Sequence, residues 1–198
     1  MMRNQLRKER LAARDQLNAA LRRDKSKQIQ ARLLELPILR DAGHLFIYVH
    51  FRSEVETLTL IEQCLAQGKI VSVPVTLREE SRLLAVQLTD PATELEPGCF
   101  GIPEPTAEQI ARALVDPTDI DAVLVPGSVF APDGGRLGYG GGYYDRFLSR
   151  DAPRACRIGL AYAVQMVAQV PMQVHDQYMD MIITEQQVYQ CTKQQEER

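Results

Sequence analysis

Six glycines crowd residues 134–142: Gly134, Gly135, Gly138, Gly140, Gly141 and Gly142. Arg136, Leu137 and Tyr139 stand among them, and Tyr143, Tyr144 and Asp145 follow at once. These residue types at this spacing suit the holding of phosphate. Glycine has no Cβ and tolerates positive φ, so backbone N–H groups can come close to a bound group. A loop of N–H groups that opens a helix favours an anion. The planar guanidinium of Arg136 offers paired donors to phosphate oxygens. Asp145 is a hard oxygen ligand of the kind that holds magnesium on phosphates. As a loop residue, Arg136 is expected outside the core. Two better-known phosphate loops are excluded. No lysine follows the glycines, as a P-loop requires, and Tyr143 stands where the third glycine of GxGxxG belongs. A plain surface turn is the alternative.

A second set of charges lies at the N-terminus. Arg3, Arg7, Arg10 and Arg14 are spaced i, i+4, i+7 and i+11, so one helix face carries all four. Such a stripe alone is an ordinary solvated face. A phosphate at the glycine loop needs cations, and Arg3 and Arg7 would reach it if the helix folds back across the loop. Arg10 and Arg14 are expected to pair with nearby acids or to stay in solvent.

The elements that must position these groups follow from periodicity. N-terminal helices occupy residues 1–36, as two with a joint near Asn18, a good N-cap. Strands are expected at Leu45–Val49, at Ile70–Val75 where Pro74 ends the strand, and at Leu83–Leu88. Further strands follow at Ala122–Val125, Arg157–Ala161 and Met181–Thr184. Helices are expected at Val55–Gln67, Thr106–Val115 and Tyr143–Ser149, and an ordered loop at Pro91–Pro105. Strands alternating with helices imply an α/β fold: an open, mostly parallel sheet with helices on both faces. Ligands then bind beyond the carboxyl ends of strands, near Val49, Pro74 and Val125. The 198 residues read as one domain, with a polar tail at 190–198.

Composition narrows the partners. A net charge of −3 argues against nucleic acid, and no apolar run is long enough for a membrane span. Met1 to Gln5 leads into a charged helix, unlike a signal peptide. Cys64, Cys99, Cys156 and Cys191 form no CxxC pair, and His44, His50 and His175 are dispersed, so zinc is not expected. Free thiols fit a cytoplasmic protein, expected here as a monomer.

Taken together, the motifs resemble those of the 5-formyltetrahydrofolate cyclo-ligase family. The central match runs from Pro126-Gly127 through Phe130 to Gly135–Asp145. Supporting matches are Arg3–Arg7, Ser53–Thr57, Gly101–Pro105, and Val170-Pro171 with His175-Asp176, Asp180 and Thr184. The resemblance implies a fold like that of ribose-5-phosphate isomerase and the CoA transferases. It implies ATP- and magnesium-dependent closure of 5-formyltetrahydrofolate to 5,10-methenyltetrahydrofolate. In that chemistry the formyl oxygen is phosphorylated, N10 attacks the carbon, and phosphate leaves. It assigns ATP contacts to Arg3, Arg7, Arg136, Leu137, Gly138, Tyr139, Gly140, Gly141, Gly142, Tyr143 and Tyr144. Arg136 and Tyr143 are the catalytic candidates. The folate, a small-molecule substrate, is placed against Val49, Glu54 and Tyr139–Tyr143, and magnesium on Asp145 and Asp176. Gly141 stands where some members carry lysine, and Val75-Thr76 where a basic residue is common. An isomerase or CoA transferase on the same fold, or a non-catalytic folate binder, would lack the need for the arginine stripe or for ATP turnover.

Overall fold

Asn18 divides the N-terminal helical segment, as its residue type predicts. Helix α1 spans Met2–Asp15 and α2 spans Ala19–Leu34. The Asn18 side chain accepts the Leu21 N–H at 2.9 Å, which satisfies an otherwise orphaned donor. The computed structural model describes residues 2–191. Helix α3 (Pro37–Asp41) is followed by β1 (His44–Ile47), α4 (Leu58–Ala66), β2 (Ile70–Leu77) and β3 (Arg82–Leu88). Next come α5 (Pro91–Glu94), β4 (Leu95–Pro97), β5 (Pro103–Pro105), α6 (Ala107–Arg112) and β6 (Ala122–Val125). The last elements are β7 (Val129–Phe130), β8 (Arg136–Leu137), α7 (Tyr143–Arg146), β9 (Cys156–Leu160), β10 (Met181–Ile183) and β11 (Val188–Gln190).

Seven strands form one sheet in the order β11-β10-β9-β6-β1-β2-β3. The five inner strands run parallel, and β3 and β11 close the edges antiparallel. Leu45 and Ile47 point to one face, where α2 contributes Ile29 and Leu33 and α4 contributes Leu60 and Ile61. Phe46 points to the other, against Phe147 and Leu148. Apolar cover on both faces explains why Leu45–Ile47 of β1 and Ala122–Val125 of β6 read as unbroken apolar runs. Strand β1 lies between β2 and β6, and the chain leaves β1 and β6 in opposite directions. The connections that leave their carboxyl ends diverge, which opens a crevice beyond the sheet.

Several boundaries differ from expectation. The helix expected from Val55 begins at Leu58. Before it, the Thr57 hydroxyl donates to the Tyr48 carbonyl at 2.6 Å and accepts the His50 N–H at 3.0 Å, which ties residues 55–57 to the end of β1. Strand β2 runs through Pro74, where a stop was expected. The Thr76 N–H turns away from β3 to Glu104 Oε1, at 3.0 Å. Two residues earlier Pro74 lies on that same side, so its missing donor costs no ladder bond. The loop expected at Pro91–Pro105 holds α5 and the β4–β5 ribbon. The helix expected to Ser149 changes after Arg146 into a wider π-type turn, Phe147–Asp151. Strand β11 ends at Gln190, where the polar tail was expected to begin, and residues 192–198 lie outside the described residues. Among the described residues no helix is long and apolar enough to cross a membrane.

Candidate active site

The crevice holds two cavities that meet at the glycine loop. The larger, about 630 Å³, is mostly apolar. Tyr48, Val49 and Phe51 enter it from the end of β1, Pro74 from β2, and Phe100 and Ile102 from the ribbon loop. The glycine loop and α7 supply Tyr139, Gly141, Tyr143 and Tyr144. The volume and lining suit a flat organic ligand of folate size. Glu54 brings a carboxylate into this apolar wall. It accepts the Phe51 N–H at 2.9 Å and the Tyr139 hydroxyl. Burial pushes the Glu54 carboxyl up, and the Tyr139 hydroxyl, the Phe51 N–H and Arg14 offset part of that rise. The Tyr144 hydroxyl is buried and bonds none of the described residues, so it is a donor in want of an acceptor.

The smaller cavity, about 450 Å³, is polar. Arg3, Asn4 and Arg7 of α1 form one side, and Gly138, Gly140 and Gly142 the other. Asp145, His175 and Asp176 complete it. Helix α1 therefore does fold back across the glycine loop. Arg7 Nε donates to the Gly138 carbonyl at 2.9 Å, and Arg3 forks onto Asp176, with Nη2 to Oδ1 at 3.1 Å. Burial disfavours the Asp176 charge, but Arg3 and the Gln173 N–H outweigh it and hold the carboxyl below the usual range. Cationic arginines around a glycine-walled polar cavity of this size fit a phosphate chain.

Asp145 lines both cavities, as do Gly138 and Gly142. Its Oδ1 accepts Arg136 Nη2 at 2.8 Å and the Gln177 N–H at 3.0 Å. Its Oδ2 accepts from none of the described residues, which leaves one hard oxygen open to a cation. Both Asp176 oxygens are engaged by Arg3, and Oδ2 also by the Gln173 N–H at 2.7 Å. Asp176 Oδ1 accepts a single hydrogen bond, so it keeps a lone pair for a metal while Arg3 stays paired. Among the described residues, no three His, Cys, Asp or Glu side chains are grouped for a metal. A magnesium ion needs only one or two carboxylates when phosphates and water complete its shell, so Asp145 fits.

The site's most specific sequence segment is thus the wall between its two cavities. A profile of the 5-formyltetrahydrofolate cyclo-ligase family matches residues 1–185. This chain belongs to that family. The 5-formyltetrahydrofolate cyclo-ligase of Haemophilus influenzae is 30% identical over 175 residues, 88% of this chain and 92% of that one. Its mouse counterpart is 28% identical over 152 residues, 74% of this chain and 75% of that one. The structure of 5,10-methenyltetrahydrofolate synthetase from Aquifex aeolicus superposes with a TM-score of 0.84 at 30% identity, covering 100% of this chain and 97% of that one. The Mycoplasma pneumoniae synthetase, 23% identical with a TM-score of 0.74, shares the fold.

Within this cyclo-ligase fold three expectations need correction. Arg136 is not an exposed loop residue. It lies on β8, 3% exposed, donating to the Pro126 carbonyl and to Asp145, and it lines the larger cavity. Leu137 beside it is fully buried and packs in the core. Arg14 is neither solvated nor paired directly with an acid. It is buried and bonds Ser53 and Tyr139. Arg10 donates to the Val164 carbonyl, so it too is engaged. Sequence reasoning missed Phe51, Phe100, Ile102 and Arg146. Phe51 and Phe100 stand just before the Ser53–Thr57 and Gly101–Pro105 motifs and Ile102 lies inside the second, and that proximity was the available signal. Arg146 Nη2 donates to the Gly141 carbonyl and its Nε to the Ser81 carbonyl, both at 2.7 Å, which pins the glycine loop to the β2–β3 turn.

Proposed function

We propose that this chain is an enzyme that closes 5-formyltetrahydrofolate to 5,10-methenyltetrahydrofolate with hydrolysis of ATP, the folate lying in the larger cavity and the triphosphate in the smaller. The observation that carries this division is the wall shared by the two cavities at Gly138, Gly142 and Asp145. A group bound in one cavity meets a group bound in the other there, as in-line transfer to a formyl oxygen requires.

The chain's own part is positioning and charge. Glu54 accepts from the N–H groups of the pterin's amino-pyrimidine edge, since an ionised carboxylate offers acceptors only. Val49, Tyr143 and the other aromatic walls hold the ring plane and exclude water. Arg3 and Arg7 balance phosphate charge from α1. Arg136 sits behind the loop and fixes Asp145, which would hold magnesium through Oδ2. When bound, that ion supplies neutralisation of phosphate charge. Tyr143 would hold the formyl group beside the shared wall, and the Tyr144 ring backs that wall with its hydroxyl buried. One chain supplies both cavities, so a monomer is the working unit, and the free cysteines suit a reducing cytoplasm.

The test is absorbance. Methenyltetrahydrofolate absorbs in the near ultraviolet where 5-formyltetrahydrofolate does not. Protein, substrate, magnesium and ATP together should produce the new band. Omission of ATP should abolish it, and a band that grows equally without ATP would overturn the proposal.

A further inference from the structure

A guanidinium is costly to bury, yet Arg14 is 4% exposed on the inner side of α1. It lines the larger cavity and not the phosphate-sized one. Its partners are specific. Nε donates to Ser53 Oγ at 2.9 Å, and Nη1 donates to Tyr139 Oη at 2.8 Å and to the Gly127 carbonyl at 3.4 Å. The Tyr139 hydroxyl in turn donates to Glu54 Oε1. A cation, a phenol and a carboxylate therefore stand in line. The line ends on the acid that faces the folate cavity.

The order of the three groups matters. A hydroxyl that accepts from a guanidinium is polarised, and it donates more strongly to the next acceptor. The acceptor here is a buried carboxylate, which burial alone would drive toward its neutral form. A protonated Glu54 would present a donor to the pterin's donors and lose the match. Arg52 and Arg136 line the same cavity, but Arg52 lies over the Phe51 ring and Arg136 bonds the Pro126 carbonyl and Asp145, and no hydrogen bond joins either to the Glu54 carboxylate. Tyr48 and Tyr144 are buried phenols pushed far above neutrality, and burial raises Tyr162 to about 12. The Tyr162 hydroxyl bonds the Glu54 carbonyl at 3.1 Å, not the carboxylate. Asp15 is engaged by the Ser53 hydroxyl.

We propose that Arg14 is a positioning residue for this reaction, acting through the Tyr139 hydroxyl to keep Glu54 charged and aimed at the pyrimidine edge of the folate. The proposal rests on the larger cavity taking the folate.

The experiment compares Arg14→Leu, Tyr139→Phe and the double variant. For Arg14→Leu, KM for 5-formyltetrahydrofolate should rise about tenfold at neutral pH, the scale of one lost charge-assisted bond, with kcat changed far less. The acid limb of kcat/KM, which reports the free enzyme, should move to higher pH because Glu54 then takes a proton sooner. Tyr139→Phe should move it the same way. The double variant should do little more than either single, since the two act in series. Arg14→Lys, which keeps the charge, should restore part of the profile. An acid limb that stays in place, or losses that add in the double variant, would overturn the proposal. A carbon-13 titration of the Glu54 carboxyl in the ligand-free proteins reads the same shift without turnover. It supports the proposal if the carboxyl of Arg14→Leu titrates at higher pH and overturns it if not. Because it needs no substrate, it separates a failure of this role for Arg14 from a failure of the folate assignment. Should Arg14→Leu not fold, Tyr139→Phe carries both measurements, since its ring is half exposed.

Discussion

Arg136 Nη2 lies 2.8 Å from Asp145 Oδ1, and this ion pair bridges the Gly138–Gly142 stretch of the loop from β8 to α7. The Arg136 side chain is 2% exposed and that of Asp145 15%. The pair therefore fixes the loop's two ends as well as facing the site. Loss of one member strands the other, and a stranded buried charge costs more than the pair contributes.

Arg136→Ala should accordingly fail in two ways. Turnover should fall about a hundredfold or more, the scale of a lost charge-stabilising donor. The melting temperature should also drop, because Asp145 and the Pro126 carbonyl lose their donors. Steady-state rates and thermal melts on one preparation check both. Normal melting with lost turnover would mean that the pair is not structural.

Asp145→Asn should raise the magnesium requirement strongly while leaving 5-formyltetrahydrofolate binding without ATP nearly intact. It also leaves Arg136 without its anion, so unfolding should become easier by about 3 kcal/mol. A magnesium titration of initial rates decides the first point. A curve matching wild type would remove Asp145 as a ligand.

Helix α1 is held over the smaller, polar cavity by Arg3 on Asp176. Asp176 is lowered from the ordinary carboxylate value, despite the burial that opposes its charge, because Arg3 and the Gln173 N–H stabilise the anion. A lowered folded-state value means stability that is present above the unfolded value, about 3.9. That stability is lost as pH falls below it through the folded value. Protection of the α1 amides from hydrogen exchange, taken relative to the intrinsic rate at each pH, should therefore fall below about pH 4. Arg3→Ala should show the lower protection already at neutral pH. Deletion of residues 1–8 should weaken ATP binding in calorimetry and leave the sheet folded. Unchanged ATP affinity would remove Arg3 and Arg7 from the ATP site.

The parallel sheet and its strands were legible because both faces are covered, so Leu45–Ile47 of β1 and Ala122–Val125 of β6 read as pure apolar runs. The glycine loop was legible because few other roles explain six glycines beside an arginine. What periodicity could not show was depth. Arg14 and Arg136 carry full charges and read as surface residues. Their burial depends on Ser53, Tyr139, Pro126 and Asp145, partners 9 to 125 residues away. Pro74 misled for a related reason. Its cost depends on which side of β2 lacks a partner, and that is a property of the sheet rather than of the strand.

The sharpest test of the two-cavity arrangement uses the glycine loop itself. Gly140 lines the polar cavity, whereas Gly141 lines the larger one beneath Tyr143. A Cβ on Gly141 would stand 2.7 Å from Tyr143 Cε2, closer than real carbon contacts allow. The Tyr143 ring, which now also meets the Arg146 guanidinium at 5.3 Å, would have to swing away. Gly141→Ala should therefore disturb the folate wall and spare the phosphate wall. KM for 5-formyltetrahydrofolate should rise about tenfold, the scale of one misplaced wall group, and KM for ATP should change much less. Gly140 has no neighbour within 4 Å of a Cβ, but its φ of +108° is one that side chains rarely adopt. Gly140→Ala strains the backbone beside Arg7 and the Gly138 carbonyl, so it should raise KM for ATP instead. Two adjacent substitutions of one methyl group each should thus separate the two substrates. If both raise the same constant, the loop is not the wall between two cavities.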